Sequence, residues 1–458
     1  MEKVMPAAAR QRLGRPEETR ILGLTWPIFI ELLLQMLVGN ADQIMVGWYD
    51  PNAVGAIGNA NQVTSLLLIV FSVLCTAAAI LISQYIGAQD TGRVRQTCAA
   101  ALLANALFGL AVGVVLVLFC GPIFTLMGVP EEIFGDTCRY TRIIGAGLVF
   151  QAVFLTYTAF FRSYQMMRQS MLISVCMNLL NIAGNAVLIN GAFGLPALGA
   201  AGAAVSSSLS RIAGVLAISA LFRRRFGPLF TGESLRPFPW GQLRRLLQIG
   251  VPAGGESVSY NLSQLCIQAA CNRFALFVIN TRVYANMFAN LSYMFASAVC
   301  QAAQVVVARL MGSENLAQTN RQVKRTLLAA VAVSALVSSL LAVFCRPLLS
   351  LFTKDPQTLE LFQLIMLIEI PLELGRAVNL VISRSLQACG DIRFPVAICI
   401  ISAWITAAGG GAVLAVVFGL GLPGLWTAMA CDECLRALLF LWRWRSGAWK
   451  RRPLLASL

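Results

Sequence analysis

Long apolar segments, separated by short polar or Gly- and Pro-rich breaks, follow one another along almost the whole chain of 458 residues. Each segment is about twenty residues long, which is the length of α-helix that crosses the hydrocarbon core of a bilayer. We therefore expect an all-α integral membrane protein with twelve transmembrane helices. The predicted spans are 22–46, 54–83, 96–120, 139–161, 168–189, 197–222, 246–270, 284–309, 325–351, 359–382, 395–418 and 424–442.

The first of these spans carries polar side chains within an otherwise apolar sequence. Glu31, Gln35 and Asp42 fall on one face of a helix, because their spacing follows the helical period. A carboxylate in hydrocarbon costs about 2.5 kcal/mol or more, so such a group usually faces a polar partner or a water-filled path. An apolar span with one polar face therefore indicates a transporter helix.

The second half of the chain repeats the first half. A shift of 225 residues aligns Pro27 with Pro252 and Glu31 with Glu256. The same shift aligns three further pairs: Gly87 with Gly312, Pro122 with Pro347, and Arg211 with Arg436. Each half contains six predicted spans, so both halves enter the membrane from the same side. The repeat is then a parallel one, and a transport site is expected between two six-helix lobes.

Composition and charge agree with a membrane protein. The chain is 58% hydrophobic and only 12% charged, with a mean hydropathy of +0.74, whereas soluble domains are about 25% charged. The net charge of +15 would suit a nucleic-acid partner, but 26 of the 35 Lys and Arg residues fall on one side of the predicted membrane. Such a bias orients a membrane protein. It predicts both termini in the cytoplasm, the cell (inner) membrane as location, and no nucleic-acid partner.

The spans and the repeat divide the chain into five predicted regions. The first residues lack the apolar run and cleavage site of a signal peptide, so we expect the first span to be retained. The regions are a cytoplasmic N-terminal segment at 1–21, a six-helix lobe at 22–222, a cytoplasmic linker at 223–245, a second six-helix lobe at 246–442 and a cytoplasmic tail at 443–458.

Several kinds of chemistry are disfavoured by the residue types. The chain has no His, which removes His-based proton relays, metal ligands and catalytic triads. Its thirteen Cys are scattered through apolar runs, and the single Cys431–Cys434 pair at CxxC spacing has no second pair near it. We expect no metal site, no cofactor and no catalytic residues, and therefore no enzyme.

An ordered set of short motifs resembles a known family over almost the whole chain, from about Leu22 to Trp444. The motifs are Trp26-Pro27 with Asn40, Asp42 and Val46-Gly47, then Gln84-Tyr85-Ile86-Gly87-Ala88, Arg162-Ser163, Asn178 with Asn181 and Asn185, and Leu198-Gly199 with Gly202-Ala203-Ala204. This set resembles the multidrug and toxic compound extrusion (MATE) family of cation-coupled exporters. The resemblance implies two six-helix lobes around a central cavity, and alternating access that exchanges outward substrate movement for inward H+ or Na+.

The resemblance places the coupling site of the N-terminal lobe at Asp42 and the asparagine face of the fifth span. Asn178, Asn181 and Asn185 share that face, and an amide face can hold a carboxylate or complete the oxygen shell of Na+. Some proton-coupled relatives have a second acidic residue where Asn185 stands, so H+ and Na+ both remain open. The repeat partner of Asp42 is Ile267, so the repeated fold does not need the carboxylate. A brace at the helix end is the alternative.

Glu31 and Glu256 each follow one of the two matched prolines. They are either paired carboxylates of the cavity or structural residues that hold the backbone groups left without a hydrogen bond by the prolines. We assign Glu31 to the N-lobe site. Glu256, Glu369 and Glu373 form the predicted cation or substrate site of the C-terminal lobe, and the Na+-coupled branch of the family resembles this arrangement. An intrahelical ion pair between Glu373 and Arg376 is the alternative.

Two matched arginines, Arg211 and Arg436, are predicted toward the cytoplasmic ends of their spans. Snorkelling or bracing of a neighbouring helix is the favoured interpretation. Asp432 and Glu433 are close enough in sequence to neutralise Arg436.

The predicted function is export of amphipathic, cationic drugs or toxic organic compounds in exchange for H+ or Na+, by a monomer in contact with membrane lipid. The alternatives are a lipid or oligosaccharide flippase of the same superfamily and, less favoured, a membrane-embedded enzyme. Ring faces and thioethers suit flat cationic substrates, although packing or lipid contact is their commoner role. The predicted substrate contacts are Gln35, Phe154, Tyr157, Met287 and Tyr293.

Overall fold

The computed structural model describes residues 21–194, 196–229 and 238–451, and these residues form helices with no strand among them. The predicted all-α fold is thus confirmed. The parts of the predicted N-terminal segment, linker and tail at 1–20, 230–237 and 452–458 lie outside the described residues. The long helices are α1 Ile21–Tyr49, α2 Pro51–Gly87, α3 Thr91–Leu126, α4 Glu131–Ser163, α5 Met167–Asn190, α6 Ala200–Phe226, α7 Trp240–Cys271, α8 Leu276–Gly312, α9 Leu316–Val343, α10 Pro356–Ala388, α11 Arg393–Val417 and α12 Gly421–Arg445.

Nine of these helices, counted over the described ranges, are long and apolar enough to cross a membrane by length and composition. The remaining three are α7, α10 and α12, whose apolar runs are interrupted by polar or charged residues. The charged groups in the middle of α10 and α12 are buried and paired with one another. Their polarity therefore reflects an internal ionic cluster.

Helix α5 shows that the surroundings of this protein are apolar. Asn181 and Asn185 are 2% and 0% exposed, whereas Leu179 and Leu180 on the opposite face are 61% and 54% exposed. A soluble protein would turn these faces the other way, because exposing Leu to water is unfavourable. With polar side chains inside and apolar ones outside, the chain is a multi-pass membrane protein.

The described residues fall into two compact units. The first contains 26–250, and the second contains 21–25 and 251–451. The predicted linker at 223–245 therefore begins within α6 and ends within α7. The chain passes from one unit to the other between residues 25 and 26 and between residues 250 and 251. Each of these points lies just before a proline, Pro27 in α1 or Pro252 in α7, and the two prolines are equivalent in the repeat.

The repeat is also visible in the turns that precede α3 and α9. Asp90 and Asn315 occupy equivalent positions, and each accepts a hydrogen bond from the backbone N–H three residues later, at 2.9 and 3.1 Å. The residues before them, Gln89 and Glu314, have positive φ angles of 60° and 57°. These side-chain caps satisfy N–H groups that the first helical turn leaves without partners.

Glycines bring two pairs of helices close together, one pair in each unit. A Cβ at Gly184 of α5 would lie 2.4 Å from the Ser206 hydroxyl of α6. In the second unit, a Cβ at Gly375 of α10 would lie 2.9 Å from the Cys434 backbone nitrogen of α12. Small residues permit such approaches between membrane helices. They bring the polar faces of α5 and α6, and of α10 and α12, within hydrogen-bonding distance.

Candidate functional site

Asp42 of α1 lies at the centre of a buried polar network in the first unit. Its carboxylate is 5% exposed, although it lies in a membrane helix. The Asn185 amide nitrogen of α5 donates to Asp42 Oδ1 at 2.5 Å, and the Ser207 hydroxyl of α6 donates to Oδ2 at 3.1 Å. Asn181 extends the network, because its amide nitrogen donates to Ser207 Oγ at 2.9 Å. Three helices thus contribute to one carboxylate, and the predicted meeting of Asp42 with the asparagine face of α5 is observed.

Two buried carbonyl oxygens in this network are not used within the described part of the chain. Asn181 Oδ1 and Asn185 Oδ1 are shielded from solvent and accept no hydrogen bond there. Buried amide oxygens normally have a partner, so two of them beside a carboxylate form an incomplete set of oxygen ligands. Asn178, three residues before Asn181, is also buried. However, the described donors to Asp42 are Asn185 and Ser207 alone.

Arg211 and Tyr140 complete the surroundings of Asp42. Arg211 follows Ser207 by one turn of α6, so it lies on the face of that helix that contacts Asp42. Tyr140, on α4, is 2% exposed. Because α6 continues to Phe226, Arg211 lies in the middle of the helix. The sequence placed Arg211 toward one end of its span, whereas the structure places it in the middle of α6, one turn from Ser207 of the polar network.

Glu31 has a different partner from Asp42. The Arg162 guanidinium donates to Glu31 Oε1 at 3.1 Å, and Glu31 is 1% exposed. In the second unit, the Gln387 amide donates to Glu256 Oε2 at 3.3 Å. Arg162 and Gln387 are equivalent in the repeat, so both pairs represent one architectural contact. Each glutamate thus contacts a side chain of another helix, and the structure groups neither of them with the carboxylates with which the sequence placed them.

The second unit holds a larger buried ionic cluster on α10 and α12. Arg376 pairs with Glu373, lies 3.9 Å from Glu369 Oε1, and has its Nε 3.6 Å from Glu433 Oε1. Arg436 pairs with Asp432 and lies 3.5 Å from the same Glu433 oxygen. Glu433 therefore bridges the two arginines. The expected ion pair between Glu373 and Arg376 is present, and the expected neutralisation of Arg436 is present as well.

Neutral donors from other helices surround these carboxylates. The Ser292 hydroxyl of α8 donates to Glu373 at 2.7 Å, and the Trp426 indole donates to Glu369 at 2.6 Å. The cluster contains four carboxylates and two guanidinium groups, so with all groups ionised it carries two negative charges in excess. Such an excess in a buried place favours the binding of protons or cations.

The predicted substrate contacts fall into two groups. Phe154 and Tyr157 are buried, and Tyr157 packs edge to face on Phe160 at 5.7 Å, so in this structure both are packing residues of the first unit. The other three are exposed, namely Gln35, Met287 and Tyr293. The Tyr293 ring lies 5.9 Å from the Arg376 guanidinium carbon. These exposed residues remain predicted contacts.

Four site residues were not identified from the sequence as members of either site. Ser207 in the first unit, and Ser292, Trp426 and Asn379 in the second, donate hydrogen bonds to the carboxylates from other helices. A hydroxyl or a ring in an apolar span is too common to be distinctive in one sequence. The repeat offered one indirect signal, because Ser207 replaces the acidic Asp432 of the second unit.

Comparison with known proteins adds an independent result. The family model described as MatE matches residues 27–187 and again 252–412, which reproduces the 225-residue repeat. The uncharacterized transporter YisQ of Bacillus subtilis (strain 168) is 34% identical over 433 residues, covering 94% of each chain. The probable multidrug resistance protein NorM of Thermotoga maritima is 27% identical and is covered to 94%, with 95% of this chain matched. A crystal structure of MATE in the straight conformation superposes with a TM-score of 0.87 at 20% identity, covering 98% of this chain and 100% of that one.

Proposed function

We propose a specific reaction for this chain, which belongs to the MATE family of multidrug efflux transporters. The chain exports amphipathic organic cations across the cell membrane and takes up H+ or Na+ in exchange, with both of its termini in the cytoplasm. Gln35, Met287 and Tyr293 are proposed contacts of the small organic substrate. The chain works as a monomer in contact with membrane lipid and needs no bound cofactor.

The observation that carries this proposal is the set of oxygen atoms around Asp42. A buried carboxylate lies beside the Ser207 hydroxyl and two amide oxygens, on Asn181 and Asn185, that have no described partner. Hard cations prefer oxygen ligands of these kinds. The donor and acceptor ends of an amide exchange places when the group rotates by half a turn.

This rotation offers a way to bind and release the ion. In this structure the Asn185 amide nitrogen donates to Asp42. When Na+ arrives, rotation of the amide presents Asn185 Oδ1 to the ion in place of the donor. When a proton arrives, the carboxyl gains a donor of its own, and the same rotation gives it an amide acceptor. In either case the orientation of the buried Asn185 amide depends on whether the site holds a cation.

Alternating access then follows from differential binding. A cation that binds more tightly in one arrangement of the protein shifts the population toward that arrangement. An organic cation competes for the same negative charge or for the negative cluster of the second unit, where Glu369 and Glu373 lie. Because the two kinds of cation exclude each other, uptake of one promotes release of the other.

The test uses purified protein in liposomes and the fluorescent cation ethidium, with an imposed H+ gradient in one series and an imposed Na+ gradient in another. The wild-type chain should transport ethidium under at least one gradient. Asp42→Asn should reduce this rate at least tenfold, because the amide keeps the shape but has neither the negative charge that balances a bound cation nor a carboxylate that takes up a proton. The matched control is Asp136→Asn, an exposed position on α4.

Normal export by Asp42→Asn would contradict the assignment of the coupling site. Export by the wild type that depends on neither gradient would contradict cation coupling itself. If ethidium is not moved but a fluorescent lipid is transferred between leaflets, the flippase alternative replaces drug export.

A further inference from the structure

We propose that Arg211 is a tethered counter-cation for Asp42, which competes with the transported cation for the carboxylate and so sets how readily the site releases its ion. This proposal rests on the cation coupling proposed above and deepens it, because it assigns a positioning residue to the release step.

Arg211 lies next to the Asp42 network along α6. It follows Ser207 by one turn of α6, and the Ser207 hydroxyl donates to Asp42 at 3.1 Å. Residues four apart lie on one face of a helix, so Arg211 shares with Ser207 the face of α6 that contacts Asp42. Arg211 Nη1 is shielded from solvent and has no hydrogen-bond partner among the residues that the structure describes. A guanidinium with an unused N–H group thus shares the helix face that contacts Asp42, whose observed donors Asn185 and Ser207 are neutral.

The equivalent arginine of the second unit has acidic partners on its own helix. Arg436, the equivalent of Arg211, pairs with Asp432 and lies 3.5 Å from Glu433, both on its own helix. The equivalents of these two acids on α6 are Ser207 and Ser208, and α6 contains no Asp or Glu between Ala200 and Phe226. The first unit therefore keeps the arginine but lacks its counter-charges on the same helix.

The missing negative charge is supplied by α1. Asp42 lies at a position that is Ile267 in the second unit, where the Arg282 guanidinium donates to the Ile267 carbonyl oxygen at 3.4 Å. An acid is thus absent from α6 and present on α1 in the same unit. This reciprocal change keeps the Asp42 and Arg211 cluster neutral when both groups are ionised.

The arrangement has a consequence for ion exchange. A bare buried carboxylate is costly, so a site that must empty in each cycle needs a substitute charge. Arg211 supplies it while the site is empty. When a cation binds, the guanidinium repels it, which lowers its affinity and accelerates its release. A merely bracing arginine would have no such effect on cation affinity.

The test combines cation binding with a double-mutant cycle on the purified full-length chain in detergent. Equilibrium binding of radiolabelled Na+, and uptake of protons in a pH titration, are measured for the wild type and three variants: Arg211→Gln, Arg211→Lys and Asp42→Asn. Removing the competing charge in Arg211→Gln should tighten cation binding by about tenfold. Arg211→Lys keeps the charge and should remain near the wild type. Adding Arg211→Gln to Asp42→Asn should change binding no further.

Thermal unfolding of the same proteins separates this proposal from the proposed function. If Asp42 and Arg211 are a charge pair, their effects on the unfolding temperature are non-additive in the double variant. Additive shifts, or unchanged cation affinity in Arg211→Gln, would overturn the counter-cation role. Non-additive shifts in a chain that binds neither Na+ nor protons through Asp42 would uphold the charge pair and overturn the coupling function instead.

Discussion

Arg211 in the first unit and Arg436 in the second occupy equivalent positions of the repeat, yet their counter-charges lie in different places. Arg436 pairs with Asp432 on its own helix and lies close to Glu433. Arg211 has no acid on its own helix, and the acid of the network next to it, Asp42, belongs to α1. A pair on one helix is held by that helix in every conformation, whereas a pair across two helices can change when the helices move. The first unit therefore has the arrangement that suits an exchange site.

Helices α5 and α11 are equivalent in the repeat, and they too differ between the two units. Helix α5 is regular and carries Asn181 and Asn185, whereas α11 contains a π-helical stretch at Ala403–Gly410 over the equivalent positions. The Ser263 hydroxyl donates to the Ala403 carbonyl oxygen at 3.1 Å, which satisfies one backbone group of the widened helix. The second unit thus lacks the amide oxygens of the first, and its negative charge lies on α10 and α12.

The largest expected effect concerns the charge excess of the second unit. Arg376→Met should destabilise the chain by about 3–5 kcal/mol, because it leaves Glu369, Glu373 and Glu433 buried without that counter-charge. Arg211→Met should cost less, since Arg211 is only half-buried and the network next to it contains one carboxylate. Unfolding temperatures in detergent compare the two variants.

The exposed Arg346 provides a control for loss of positive charge, because Arg346→Met removes a guanidinium outside both clusters. Its unfolding temperature should match that of the wild type. Equal losses in Arg376→Met and Arg211→Met would show that the two units do not differ in the way that their charge balance indicates.

A smaller effect is expected from the close helix contacts. Gly375→Ala should cost about 1–3 kcal/mol, because the new methyl group would meet the backbone of α12 at 2.9 Å, and backbone atoms cannot move aside. Gly184→Ala should cost less, since the nearest atom is the Ser206 hydroxyl, a side-chain atom that can rotate away with the loss of its hydrogen bond to the Asn181 carbonyl oxygen. Denaturation of the two variants by heat measures the difference.

Each unit offers its own control for these glycine substitutions. Gly135 on α4 and Gly255 on α7 have nothing within 4 Å of an added Cβ, so alanine should be neutral or slightly stabilising there. A loss at these positions as large as at Gly375 would mean that close packing does not explain the result, because helix propensity favours alanine over glycine.

Much of this architecture could be predicted from the sequence. The apolar segments identified the helices, and the 225-residue shift identified the repeat that the family model then matched twice. The meeting of Asp42 with Asn185 was predictable because both lie on polar faces at similar depth in spans that run the same way. These features depend only on period and length, which a single sequence carries.

The partners across helices were not predictable in this way. Glu31 shares a helical face with Asp42 in sequence, yet it pairs with Arg162, because helix rotation and crossing angle decide which residues meet. Arg211 was placed toward one end of its span, whereas it lies in the middle of α6, because α6 extends to Phe226 beyond its apolar run. Glu433 was identified only as a neighbour of Arg436, since its contact with Arg376 joins two helices that are distant in sequence.

The smallest expected effect concerns the helix caps, which are alike in the two units. Asp90→Ala and Asn315→Ala remove equivalent caps at the starts of α3 and α9, so each should cost about 1 kcal/mol. Asp90 also lies 3.3 Å from Arg93, but this pair is exposed and adds little. Equal shifts in unfolding temperature for the two variants are therefore expected.

Equal shifts at the two caps are needed to interpret the larger differences between the arginine variants. If equivalent caps respond equally while equivalent arginines respond unequally, the asymmetry belongs to the buried charges and not to a general difference in stability between the units. If Asn315→Ala instead lowered the unfolding temperature several times more than Asp90→Ala, the second unit would be the weaker one throughout. The contrast between Arg376→Met and Arg211→Met would then say nothing about charge balance, and only the cation-binding measurements on Arg211→Gln would still separate the two sites.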